Sequence, residues 1–220
     1  PILKGLVIVA FPIVVMNVLQ SMFNMVDMRV LKTYDTDGFA VGAVGVCSTL
    51  IGLITNTVIG IATGANAVVA RHLGRKDPED ARKAAGTAIL FSAMAGIALA
   101  IIGILGAKTF LVWTNCPEEL LSRAVLYFQL YFVGVPILTV HNFNAAIIRS
   151  SGNSKRVMEI SLISGAVKVA LTYLFVGLFK GGIVGVSMAT IFSWGAGFAM
   201  SWWTITKGNS VVRIKLKDVR

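Results

Sequence analysis

Long apolar stretches alternate with short polar ones along this chain, and that alternation constrains the fold more than any motif does. A helix needs about 20 apolar residues to cross the hydrocarbon core of a bilayer. Six stretches meet that length, at roughly 5–31, 41–70, 84–107, 122–148, 157–179 and 183–206. Only 14% of the 220 residues are charged, against about a quarter in a soluble domain, and mean hydropathy is +0.80. The expected fold is all-α: a polytopic membrane protein with six transmembrane helices. Residues 1–207 make one bundle without linker or repeat, and residues 208–220 a basic cytoplasmic tail.

The polar connections carry helix punctuation. In Gly74-Arg75-Lys76-Asp77-Pro78-Glu79-Asp80, Gly74 suits the residue after a helix, Asp77 an N-cap and Pro78 the first helical position. With the N-terminus inside, the cytoplasmic segments hold Lys4; Arg71, Arg75, Lys76, Arg82, Lys83; Arg149, Lys155, Arg156; and Lys207, Arg213, Lys215, Lys217, Arg220. The outer segments hold only Lys32, Lys108, Arg123 and Lys180. Basic residues collect in cytoplasmic loops, so both termini are expected in the cytoplasm, with Trp202 and Trp203 in the inner aromatic belt. The Gly60-x-x-x-Gly64 spacing and the glycines around the sixth span suit close helix packing.

The same charge pattern accounts for the net charge of +10 without nucleic acid, since no polar domain carries a basic stripe interleaved with aromatics. Cys47 and Cys116 fall near one membrane face and are expected to be free thiols. No CxxC, Cys/His cluster, phosphate loop or Ser/His/Asp set stands out. No metal, cofactor or enzymatic activity is expected. The first residues show no cleaved signal peptide.

Polar residues inside the spans carry the chemistry. Asp27 is the most informative, because an acid within a span is costly and points to function. At about 100° per residue, Asn17, Gln20, Asn24 and Asp27 fall within an arc of about 80° on the first helix. Such a stripe needs an aqueous cavity or a polar partner. Pro12 precedes it and suits a bend. The fifth span has a matching stripe of Ser161, Ser164, Gly165, Lys168 and Thr172. The second has Thr49, Gly52, Asn56 and Thr63, and Thr190 lies in the sixth. For single Ser and Thr residues, helix-to-helix hydrogen bonding is the ordinary role. Lys168, near mid-span, needs a partner, water or a depressed pKa. The first and fifth spans run in one direction, so an Asp27–Lys168 ion pair within one protomer is expected. His141 has no acid nearby in sequence, and a packing role is expected for it.

At these residues the chain resembles one lobe of a MATE (multidrug and toxic compound extrusion) transporter. Phe11-Pro12 followed by Met25-Val26-Asp27 resembles the family's first helix. Gly60-Ile61-Ala62-Thr63-Gly64-Ala65-Asn66, running into Ala70-Arg71-His72-Leu73-Gly74, resembles the end of its second. Ile148-Arg149-Ser150-Ser151-Gly152-Asn153-Ser154-Lys155 resembles the loop after its fourth, and Gly182-Ile183-Val184-Gly185-Val186 the start of its sixth. The resemblance implies an antiporter driven by protons or sodium, in the plasma membrane, exporting a small cationic or amphipathic solute. Asp27 would be the ion-coupling residue. Asn17, Gln20, Asn24, Lys168, Thr172 and Thr190 would line its cavity, and Pro12 would bend the helix. Two departures stand out. The family has twelve spans in two lobes, so a homodimer is expected to rebuild the cavity. The fifth helix of many relatives carries Asn and Asp where this chain has Lys168 and Thr172. A flippase for an anionic lipid or lipid-linked substrate, and a non-transporting lobe or scaffold contacting membrane lipid, are the alternatives.

Overall fold

The structure, a computed structural model, describes residues 2–34 and 38–207, with side chains placed at residue 11 and from residue 14 onward within those segments. The basic tail expected at 208–220 lies outside the described residues. Six helices follow one another: α1 (Ile2–Tyr34), α2 (Phe39–Gly74), α3 (Pro78–Trp113), α4 (Glu118–Ser150), α5 (Ser154–Thr172) and α6 (Gly182–Thr206). Beyond Thr172, α5 widens into a π-helical segment, Tyr173–Leu178.

Among the described residues five helices are long and apolar enough to cross a membrane: α2, α3, α4, α5 with its π segment, and α6. At 33 residues, α1 has the length as well. The helices run past the apolar windows because their polar ends stay helical. At about 1.5 Å per residue, the 36 residues of α2 and of α3 span about 54 Å. That exceeds a hydrocarbon core of about 30 Å, so these helices tilt or protrude.

The Asp77 N-cap forms as the sequence suggests: its Oδ1 accepts from the Asp80 amide at 3.1 Å, with Pro78 in the first turn. A second cap, not expected, is made by Asn153, whose Oδ1 accepts from the Arg156 amide at 3.2 Å. The end of α2 differs from expectation. Gly74 is its last residue, and the left-handed conformation falls at Lys76 (φ 59). The Lys76 amide donates to Leu73 O at 3.0 Å and the Asp77 amide to His72 O at 3.1 Å. This double closure satisfies the last carbonyls of the helix, and its register is set by where Asp77 must cap α3.

The core is built around α4, which packs against α3, α2 and α6. Its buried aromatics Tyr127, Phe128, Tyr131 and Phe132 are joined by Phe110 of α3 and Trp194 of α6. Three glycines permit this. A Cβ on Gly103 would lie 1.8 Å from the Phe132 ring, one on Gly96 2.8 Å from Pro136 Cα, and one on Gly134 2.8 Å from Trp194. Gly60 and Gly64 behave otherwise. Both face open space, so the spacing read as a packing motif is unused within this chain.

Candidate functional site

The polar stripes of α1 and α5 meet. Phe23 of α1 lies over Gly165 of α5, where a Cβ would come within 1.9 Å of the ring. Further along, Tyr34 approaches Gly177, at 3.4 Å from a Cβ there. The contacts ascend together in both helices, so α1 and α5 run parallel. One turn beyond Phe23 is Asp27, and one and two turns beyond Gly165 are Lys168 and Thr172. The register set by the glycine therefore brings the two stripes face to face.

The geometry is compact. Lys168 Nζ lies 2.6 Å from Asp27 Oδ2 and donates to Asn24 Oδ1 at 3.0 Å. Thr172 Oγ1 donates to Asp27 Oδ1 at 2.8 Å. The expected ion pair between the two stripes is present. Thr172 is fully enclosed and Asp27 is 6% exposed. A carboxylate and an ammonium are each costly in a membrane. Charge-assisted bonds to one another and to neutral partners lower that cost. The cluster opens at Asn24, which is exposed, as are Gln20 and Asn17 one and two turns before it.

The other expected site residues lie apart. Thr190 is buried, and its hydroxyl donates to Val186 O of its own helix at 2.9 Å. Pro12 lies within α1, but its side chain is outside the described residues. Ser193 Oγ donates to Ser164 O at 2.7 Å, tying α6 to α5. On α2, Thr55 bonds across to Tyr131 Oη at 3.2 Å and Cys47 Sγ donates to Ala124 O at 3.4 Å, while Thr63 turns back on Ile59 O. His141 faces Ser201 Oγ at 3.5 Å, and Ser201 is 3.4 Å from Asn144 Nδ2, a polar contact between α4 and α6. Both cysteines are free.

One group was not anticipated. His72, Asp77 and Asp80 bring potential ligand atoms within 4.8 Å of one another at the α2–α3 turn. Asp77 already caps α3, and Asp80 lies 3.4 Å from Lys83. The positive end of the α3 dipole also opposes a cation there, so helix capping accounts for the two carboxylates.

A family model described as MatE matches residues 12–174. The probable multidrug resistance protein YpnP of Bacillus subtilis (strain 168) is 24% identical over 206 residues, 94% of this chain and 46% of that protein. YoeA of the same organism, also a probable multidrug resistance protein, is 28% identical over 187 residues, 83% of this chain and 40% of that protein. Among solved structures, a MATE in the bent conformation matches with a TM-score of 0.88 at 22% identity, covering 98% of this chain and 48% of the other. A MOP superfamily transporter from Pyrococcus furiosus, described as having a binding pocket of reverse polarity, matches with a TM-score of 0.87 at 22% identity, covering 99% and 48%. The chain spans about half the length of the curated relatives it matches.

Proposed function

The chain belongs to the MatE family, and on that premise we propose that it is one lobe of a secondary antiporter exporting a small organic solute in exchange for protons or sodium. The observation that carries this reading is Asp27, a carboxylate enclosed within a membrane-spanning bundle at the head of an exposed polar stripe. Such a group can trade its counter-ion as the protein changes conformation. The names of YpnP and YoeA, as probable multidrug resistance proteins, are in keeping with an organic solute. Asn17, Gln20 and Asn24 are the residues that would meet it.

The partner lobe is a second copy, arranged as a parallel twofold dimer. Asn17, Gln20 and Asn24 on α1 and Asn56, Thr57 and Thr63 on α2 are exposed in the single chain. Polar groups facing lipid are costly. A twofold axis along the membrane normal buries both faces against each other without inverting either copy. Gly60 and Gly64, open in one chain, fall on the α2 surface that this contact would use. A protein that transports while remaining monomeric at every concentration would overturn the dimer.

The assembly is placed in the plasma membrane with both termini cytoplasmic. Cys116, in the α3–α4 turn, then faces outward. Burial raises its thiol from the ordinary value, so labelling of intact cells by an impermeant maleimide should speed up as the medium is made more alkaline. Labelling seen only after permeabilisation would invert the topology.

Asp27→Asn keeps the shape and removes the ionisable group. The expected result in liposomes is loss of gradient-driven exchange with folding retained. Undiminished exchange would remove Asp27 from the mechanism. A second reading, flipping of an anionic lipid or lipid-linked substrate, draws on Lys168, whose ammonium suits a phosphate group. Gradient-independent movement of labelled lipid, with no solute exchange, would favour it. A lobe that moves neither lipid nor solute would instead be a scaffold.

A further inference from the structure

A carboxylate that couples an ion to transport must have room for that ion. At Asp27 the room is taken. Thr172 donates to Oδ1 at 2.8 Å, and the Lys168 ammonium lies 2.6 Å from Oδ2. Asn24 Oδ1, the nearby neutral oxygen, accepts from the same ammonium at 3.0 Å. Two oxygens that could enter the shell of a small hard cation, Asp27 Oδ2 and Asn24 Oδ1, already sit on Lys168 Nζ.

We propose that the Lys168 ammonium is a built-in occupant of the cation position at Asp27, so that this site is closed to sodium and exchanges protons alone. The proposal rests on the reading of Asp27 as the coupling residue. Sodium entering beside the ammonium would place two cations on one enclosed carboxylate, leaving a charge without a partner. Sodium replacing it would strand the ammonium between helices. A proton needs no shell: it forms an O–H bond on the carboxylate, and the ammonium keeps its bond to Asn24. Titratable groups on the elements around the cluster include Lys168 on α5, Tyr127 and Tyr131 on α4, Cys47 on α2, Tyr173 at the start of the π segment, and Arg29, Lys32 and Tyr34 along α1, while Lys155, Arg156 and Glu159 lie at the far end of α5. The residues of α6 include none. Lys168 is the cation within bonding distance of the carboxylate, and it therefore sets the ion choice.

The test is thermal unfolding of the full chain in lipid nanodiscs, followed by tryptophan fluorescence, with sodium chloride titrated against choline chloride at constant ionic strength. The parent is expected to show the same midpoint in both salts. Lys168→Asn removes the ammonium and adds a carbonyl oxygen. It should gain a saturable rise in midpoint with sodium that the parent lacks. The response should vanish in Asp27→Asn/Lys168→Asn. A sodium-specific stabilisation of the parent, absent in Asp27→Asn, would overturn the proposal, and this arm needs no Lys168 variant to fold. A folded Lys168→Asn without any sodium response would also overturn Lys168 as the excluding group. Because binding is read without transport, a parent that ignores sodium and moves no solute would end the antiporter reading and leave the ion selectivity standing.

Discussion

The two halves of this bundle are held together by different means. Around α4 the joints are made of volume: Phe132 fills the space over Gly103, and Trp194 and Ile191 fill that over Gly134. Along α1 the joint is made of charge. That helix packs chiefly on α5, and Phe11, Val14, Val18, Met22 and Met25 are all more than half exposed. A close-packed interior has one arrangement and transmits strain. A seam closed by an ion pair can be opened by changing one proton. The polar stripe lies on the seam and the bulk of the packing lies elsewhere; on the proposed antiport, α1 would respond while the α2–α3–α4–α6 body holds its shape.

The sharpest way to break this comparison is to remove half of the pair. Lys168→Met leaves the Asp27 carboxylate enclosed without a cation, and a loss of about 3–5 kcal/mol is expected. Asp27→Asn/Lys168→Met removes both charges and should recover most of it. Thermal unfolding in nanodiscs measures both, and a double variant no more stable than the single one would show that the seam does not depend on charge. Thr172→Val keeps the volume and removes the hydroxyl donor to Asp27, with an expected cost of about 1.5–3 kcal/mol, that of a hydrogen bond to a charged group.

The core should respond to volume instead. Gly103→Ala puts a methyl into the Phe132 ring and is expected to cost about 1–3 kcal/mol. Gly165→Ala should cost less, because Phe23 is only half-buried and can swing aside; equal losses would blur the distinction between the two regions. Gly60→Ala carries the smallest effect and the opposite sign. Among the described residues nothing lies near that position, so the single chain should gain about 0.5–1 kcal/mol of helix stability. If the dimer contact uses this face, the gain turns into weaker association, which crosslinking yield would register.

Much of this was legible in the amino-acid order. Runs of about 20 apolar residues mark membrane helices whatever their partners, and the Asp77 cap is a local signal. The Asp27–Lys168 pair was readable because two polar stripes in parallel spans had few other places to go. What was not readable depended on partners distant in sequence. Gly103 and Gly60 look alike in the chain, yet one receives an aromatic ring and the other faces open space. Thr190 shares the polar character of Thr172, but its hydroxyl returns to its own backbone, to Val186 O. The shift of the left-handed residue from Gly74 to Lys76 followed from the demands of the next helix.

The pairing of Asp27 with Lys168 also has an electrical meaning. A charge carried across the full membrane potential exchanges about 2.3 kcal/mol per 100 mV, so a lone carboxylate moving with α1 would act as a voltage sensor. A carboxylate and an ammonium moving together form a dipole with no net charge, and the field does almost no work on it. Only when a proton joins the pair does the moving unit carry a charge. Voltage should therefore act on this protein through the protonated state alone, and any transport current should become steeper in voltage as the medium is acidified.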